Sequence, residues 1–247
     1  MDSLTVTFNE RLQEIDAYLD LLDALERQVR EGPPKIGGAT ITTQQQKILY
    51  SSVYLQLYNL VEATITWCVE AISSAAADGR WSANDLSVEL RREWIRVTAR
   101  THVDLNYDNR LESAVSLCDR IIRSAPVAAW NVEKGGGGNW DDIEIEDIAT
   151  RLGFQLRSRI TPAAYSGIKR HVREDKGALA LIKYIRNKLA HGNLSFAECG
   201  DGVTVSDLRE IKNRSAVFLS EVVSAFKVYI DAYEFLLPER RPVPGGT

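Results

Sequence analysis

The chain has 247 residues, 45% of them apolar, and a net charge of −4, which suits one large domain or two small ones with a proper core. Its three cysteines, Cys68, Cys118 and Cys199, are far apart and in no CxxC spacing, so neither a disulfide framework nor a zinc site is expected. No run approaches the roughly 18 apolar residues of a membrane span, and the acidic start MDSLTVTFNERLQEID is unlike a signal peptide, so a cytoplasmic protein with no membrane partner is expected.

In chain order the elements read as helices. Leu12, Ile15, Leu19, Leu22 and Val29 recur at heptad-like spacing in a first helix over 4–31, which EGPPKIGG ends. A long second helix follows over 43–77. Asp78 and Gly79 separate it from a third that opens at a Ser82 cap and runs through LSVELRREWIRVTAR, and Asn109 to Ser124 gives a fourth. VEKGGGGNWDD resembles a phosphate loop but lacks the Lys-Ser/Thr ending, so it reads as a linker before a capped helix, DDIEIEDIATRLGF. Gln155 to Asp175 is basic and irregular. A helix over 176–191 comes next, then a short extended or turn segment, then a long closing helix over 205–237 with the stripe Leu208, Ile211, Phe218, Val222, Ala225, Tyr229. With no strand alternation long enough for a sheet, the fold class is all-α, a bundle of about six or seven helices. Residues 1–238 form a single domain whose core helices carry a helical insertion over 82–175, and 239–247 is a disordered tail.

Charge is unevenly spread. Between Arg151 and Gly192 there are ten basic and two acidic residues, so that segment is +8 and the remainder −12. Such asymmetry can make a phosphate-attracting patch on an acidic protein, although a solvated basic face has the same composition. Arg170, Arg173, Lys176, Lys183 and Lys188 are the candidate RNA contacts.

Within that segment, IKYIRNKLAHGNLSF places Arg186, Asn187 and His191 within six residues before Gly192. At 100° per residue, Ala178, Leu181, Ile182, Ile185 and Leu189 share one apolar arc, and the polar trio lies opposite it. Asn187 and His191 are an i, i+4 pair that can hydrogen-bond, and Gly192 is the expected end of the helix. Cationic residues at a helix C-terminus also interact well with the macrodipole. A histidine that titrates near neutrality, a permanently charged arginine and an orienting asparagine nevertheless suffice to cleave RNA without metal. The 2′-hydroxyl attacks phosphorus, histidine moves a proton, and arginine offsets charge on the phosphoryl oxygens. Glu62, among Leu55, Tyr58, Ile65 and Val69 on the apolar second helix, needs a partner; Arg186 is the candidate, with Asn59 one turn away as a supporting residue.

Arg186-Asn187-Lys188-Leu189-Ala190-His191 resembles the signature of the HEPN superfamily (higher eukaryotes and prokaryotes nucleotide-binding). YNLVEAT, GNWDDIEIEDIATRLGF, HGNLSFAECG and the long closing helix resemble its bacterial branch linked to toxin–antitoxin and phage-defence loci. The resemblance implies an all-α, usually dimeric endoribonuclease that joins two Arg/His motifs in one cleft, needs no metal, and leaves a 2′,3′-cyclic phosphate. Arg186 and His191 would be its catalytic pair and Asn187 the orienting residue. A cognate antitoxin would be a possible partner. The alternative is a catalytically silent HEPN module that binds RNA, a nucleotide or a partner protein. No metal or other cofactor is expected, because His102, His171 and His191 do not lie at ligand spacing to one another. One motif supplies a single proton-transfer group, whereas 2′-hydroxyl attack benefits from both a base and an acid, so a homodimer with the motifs near its two-fold axis is expected.

Overall fold

The computed structural model describes residues 2–99, 106–133 and 139–242; His102, the whole glycine run at 135–138 and 243–247 lie outside them. The helices are α1 (Asp2–Val29), α2 (Thr43–Asp78), α3 (Val88–Thr98), α4 (Tyr107–Ile122), α5 (Asp142–Leu152), α6 (Pro162–Lys169), α7 (Ala178–Ala190), α8 (Phe196–Cys199) and α9 (Val205–Asp231). A two-residue pair of exposed strands, β1 (Lys35–Ile36) and β2 (Ala39–Thr40), closes a small hairpin between α1 and α2. The fold is all-α.

Caps written in the sequence start most of these helices. Thr42 and Gln45 form a capping box at α2, as do Ser195 and Glu198 at α8 and Thr204 and Asp207 at α9; each satisfies backbone N–H groups that the first turn leaves without a partner. The third helix begins later than its sequence suggests. Asp85 accepts hydrogen bonds from both the N–H (2.9 Å) and the hydroxyl (2.6 Å) of Ser82, closing residues 82–85 as a turn, and the cap passes to Ser87. The basic stretch from Gln155 is also more ordered than expected. It holds a 3-10 turn at Leu156–Arg159 and α6, whose start is set by Thr161 and Pro162. The closing helix stops at Asp231, and Pro238–Arg240 forms a turn where a disordered tail was expected, with Arg240 3.2 Å from Asp85.

At the centre lies α2, which packs against α1, α7, α8 and α9. Tyr54, Leu57, Tyr58, Val61, Ile65, Cys68 and Ile72 on it are buried, each large apolar side chain contributing roughly 1.5–3 kcal/mol. Among the described residues it is the helix long and apolar enough to cross a membrane, by length and composition, and half of its most apolar window is buried inside the protein. One contiguous core runs from Phe8 on α1 to Leu236 and includes Leu86, Trp94, Trp140 and Leu152 from the 82–175 segment.

Two tertiary locks fix the ends of this arrangement. Ser51, fully buried on α2, donates to the carbonyl of Phe196 at 2.8 Å, and Gly200 lies so close that a Cβ there would meet the Lys47 carbonyl oxygen at 2.1 Å. α8 is thereby clamped to the start of α2. Elsewhere Arg151 on α5 makes a two-pronged ion pair with Glu93 on α3 (2.6 and 3.2 Å) and also donates to the Glu133 carbonyl. Because Glu93 is almost fully buried, Arg151→Ala removes its two-pronged partner and leaves the carboxylate only the more exposed Arg96, at 3.5 Å. This variant is expected to lose about 3–5 kcal/mol of stability, read as a lower denaturant midpoint; an unchanged midpoint would show the pair to be energetically silent.

Candidate active site

The apolar arc of α7 is buried as its spacing predicts: Ala178, Leu181, Ile182, Ile185 and Leu189 all face the core. The helix stops by backbone chemistry. His191 is the C-cap, Gly192 takes φ +68°, and the N–H groups of Gly192 and Asn193 return to the carbonyls of Leu189 and Lys188 at 3.2 and 2.9 Å. Glycine enters the left-handed region without the penalty a Cβ imposes. His191 is left exposed at the tip.

Arg186 does not face solvent freely. Its guanidinium lies 4.1 Å from the ring centre of Tyr58 on α2, and Nη1 donates to Oδ1 of Asn187 (2.7 Å) and Oδ1 of Asn139 (2.9 Å). A flat cation over an aromatic face is held by the ring's quadrupole, while its edge stays available to hydrogen-bond acceptors. Burial raises the Tyr58 phenol above its ordinary value, with the Arg186 charge opposing that shift and Glu62 adding to it. The expected Glu62–Arg186 ion pair is not formed: Glu62 is only half-buried, so it needs no buried cation, and the guanidinium is satisfied by two amides and a ring. Asn59 is exposed and opens onto a cleft between α1 and α2 with Arg11, Glu14 and Gln56. Among the described residues no hydrogen bond joins the Asn187 side chain to the His191 ring: Oδ1 accepts from Arg186, and the link to His191 is the Asn187 backbone carbonyl, which accepts the His191 N–H at 3.1 Å.

The segment before α5 supplies what the motif lacks. Trp140 is buried, and its backbone hydrogen-bonds Tyr58. Asp141 caps α5 by accepting from the N–H groups of Ile143 and Glu144, and with its other oxygen takes Nζ of Lys183 at 2.8 Å. Asn139 and Tyr58 are thus site residues that sequence reasoning missed; the signal for Asn139 is the polar GNWDD run behind the glycines, which by sequence reads as a linker before a capped helix.

The profile of the HEPN_MAE_28990-like HEPN family matches residues 1–235. The chain belongs to the HEPN family. No curated protein and no solved structure matches it. In this HEPN chain the basic run sorts into two groups. Arg151, Arg159, Lys169, Arg170 and Lys183 each meet a carboxylate: Glu93, Glu234, Asp142, Glu210 and Asp141 respectively. Lys183, expected as an RNA contact, thus pairs with a half-buried acid, whereas Arg170, also expected as one, is exposed and shares Glu210 with Arg214. Arg173 is exposed and acts on Tyr54, Cys199 and Asp201, whereas Lys176 and Lys188 rest beside Tyr184. His171 lies 3.8 Å from Asp175 on the exposed turn before α7. Among the described residues no three His, Cys, Asp or Glu side chains cluster as a metal site.

Proposed function

We propose that this HEPN domain is a metal-independent endoribonuclease that leaves 2′,3′-cyclic phosphate ends, acting as a toxin or phage-defence effector. The observation that carries this reading is the company Arg186 keeps. Five neighbouring cations are matched with carboxylates, but Arg186 is held by two neutral amide oxygens and an aromatic ring. Amides fix the guanidinium without cancelling its charge, so its field remains available to a phosphoryl group in the same half-buried setting. His191 sits on the same helix end, exposed to a substrate.

In the reaction the 2′-oxygen bonds to phosphorus as its proton leaves, and the bond from phosphorus to the 5′-oxygen breaks as that oxygen gains a proton. His191 performs one of these transfers and Arg186 offsets the charge that grows on the non-bridging oxygens. The other transfer belongs to His191 of a second copy. Among the described residues no hydrogen bond holds the His191 ring, which fits a site completed across a two-fold axis.

The test is incubation with RNA in EDTA over a protein dilution series, with light scattering alongside. Cleavage yielding cyclic phosphate ends, and specific activity falling as the dimer dissociates, are the expected results. Intact RNA would leave the silent, RNA-binding alternative, and constant specific activity from a monomer would rule out the shared site.

A further inference from the structure

Tyr184 lies on α7 seven residues before His191, so at 100° per residue the two side chains leave the same face, about 10 Å apart along the axis. Its ring is flanked by two ammonium groups, Nζ of Lys176 and Nζ of Lys188, each 4.6 Å from the ring centre. Among the described residues neither meets a carboxylate in an ion pair. Lys176 donates to the Glu174 backbone carbonyl at 3.3 Å, and Lys188 hydrogen-bonds the Tyr184 side chain, with the exposed Glu174 carboxylate acting on it through space. Two like charges brought to one ring repel, and the ring compensates only in part. Five other cations of the basic segment meet an acid whereas these two ammonium groups do not, so this trio is open to an anion that arrives from outside.

The approach to the ring is built with care. Lys176 is brought over Tyr184 by a tight turn in which Glu174 and Asp175 both adopt positive φ, with Arg173 and Lys176 bridged across it. Two successive non-glycine residues in that region store strain that packing must repay. Gly177 then enters α7 so close to α6 that a Cβ would meet the Ile168 carbonyl oxygen at 2.4 Å.

We propose that Tyr184, with Lys176 and Lys188, is the binding subsite for an unpaired nucleotide of the RNA strand next to the scissile phosphate; this rests on the RNA-cleaving reading above. Without RNA the two ammonium groups rest on the ring. When the strand binds, they move to its phosphates and free a ring face, on which one base stacks. An aromatic face with adjacent point charges from α7 and the turn before it suits single-stranded RNA, whose bases can splay out, and not an A-form duplex. Tyr184 is half-buried and already fixed at its root by packing, so little freedom is lost on stacking.

The experiment uses the full chain with His191→Ala, which leaves RNA uncut, and follows fluorescence anisotropy of a short single-stranded RNA and of the matching duplex across a salt series. The single strand is expected to bind more tightly. In that background Tyr184→Leu, which keeps apolar bulk but removes the π face, should weaken single-strand binding by about ten-fold with the salt slope unchanged. Tyr184→Phe should retain most of the affinity. Lys176→Ala and Lys188→Ala should each make the slope shallower by about 0.7. Equal affinities for the Leu and Phe variants, or a duplex bound as tightly as the single strand, would overturn the subsite. Cleavage by the otherwise native chain, measured in parallel, separates the failures: cleavage with normal binding by the Tyr184 and lysine variants sinks the subsite alone, whereas no cleavage and no RNA binding sinks both.

Discussion

Replacing His191 with alanine is expected to lower RNA cleavage by about 10²–10⁴-fold, the usual worth of a positioned acid–base group, while the protein stays folded. The fold is safe because the imidazole is exposed and the helix end is made by backbone hydrogen bonds of residues 187 to 193, which alanine preserves. Beyond that, the substitution removes only side-chain contacts at the exposed helix tip. Circular dichroism and a cleavage assay in EDTA check both halves. A folded His191→Ala protein that cuts RNA at the normal rate would end the catalytic reading.

Arg186→Ala should reduce cleavage by about 10²–10³-fold, as removal of one preorganised donor at an oxyanion does, and Arg186→Lys should restore little of it. The reason is geometric. The guanidinium serves Asn139, Asn187 and the face of Tyr58 together, and an ammonium has neither the planar fork nor the delocalised face to do so. Because the effect lies in the transition state, RNA affinity measured in the His191→Ala background should change much less than the single-turnover rate. A lysine variant with full activity would show that net charge alone is needed, and that the amides are not positioning anything.

The sequence made some of this legible and not the rest, for physical reasons that differ between residues. The buried arc of α7 follows from helical periodicity, and Gly192 from the left-handed conformation that ends the helix; both are local rules. Asn139 is 47 residues from Arg186 in sequence and carries no periodicity that points to it, so only the packed fold reveals its role. Glu62 went wrong in an instructive way. A carboxylate on an apolar helix calls for a buried cation, but α2 leaves Glu62 half-exposed and offers the Tyr58 ring, one turn earlier, to the arginine instead. Charge counting likewise could not foresee that Lys183 and Arg170 find acids on α9 and before α5, because those partners are distant in sequence.

The close approach at Gly200 bears on how related sequences would be interpreted. No side chain fits there, since even a methyl group would overlap the Lys47 carbonyl oxygen, and the position follows His191 by nine residues. Selection would hold glycine at that place as firmly as it holds a group that touches substrate, though for steric reasons alone. An invariant column beside the motif would then record how α8 is seated on α2, and drift at Lys176, Tyr184 or Lys188 would be the more informative signal of a changed ligand.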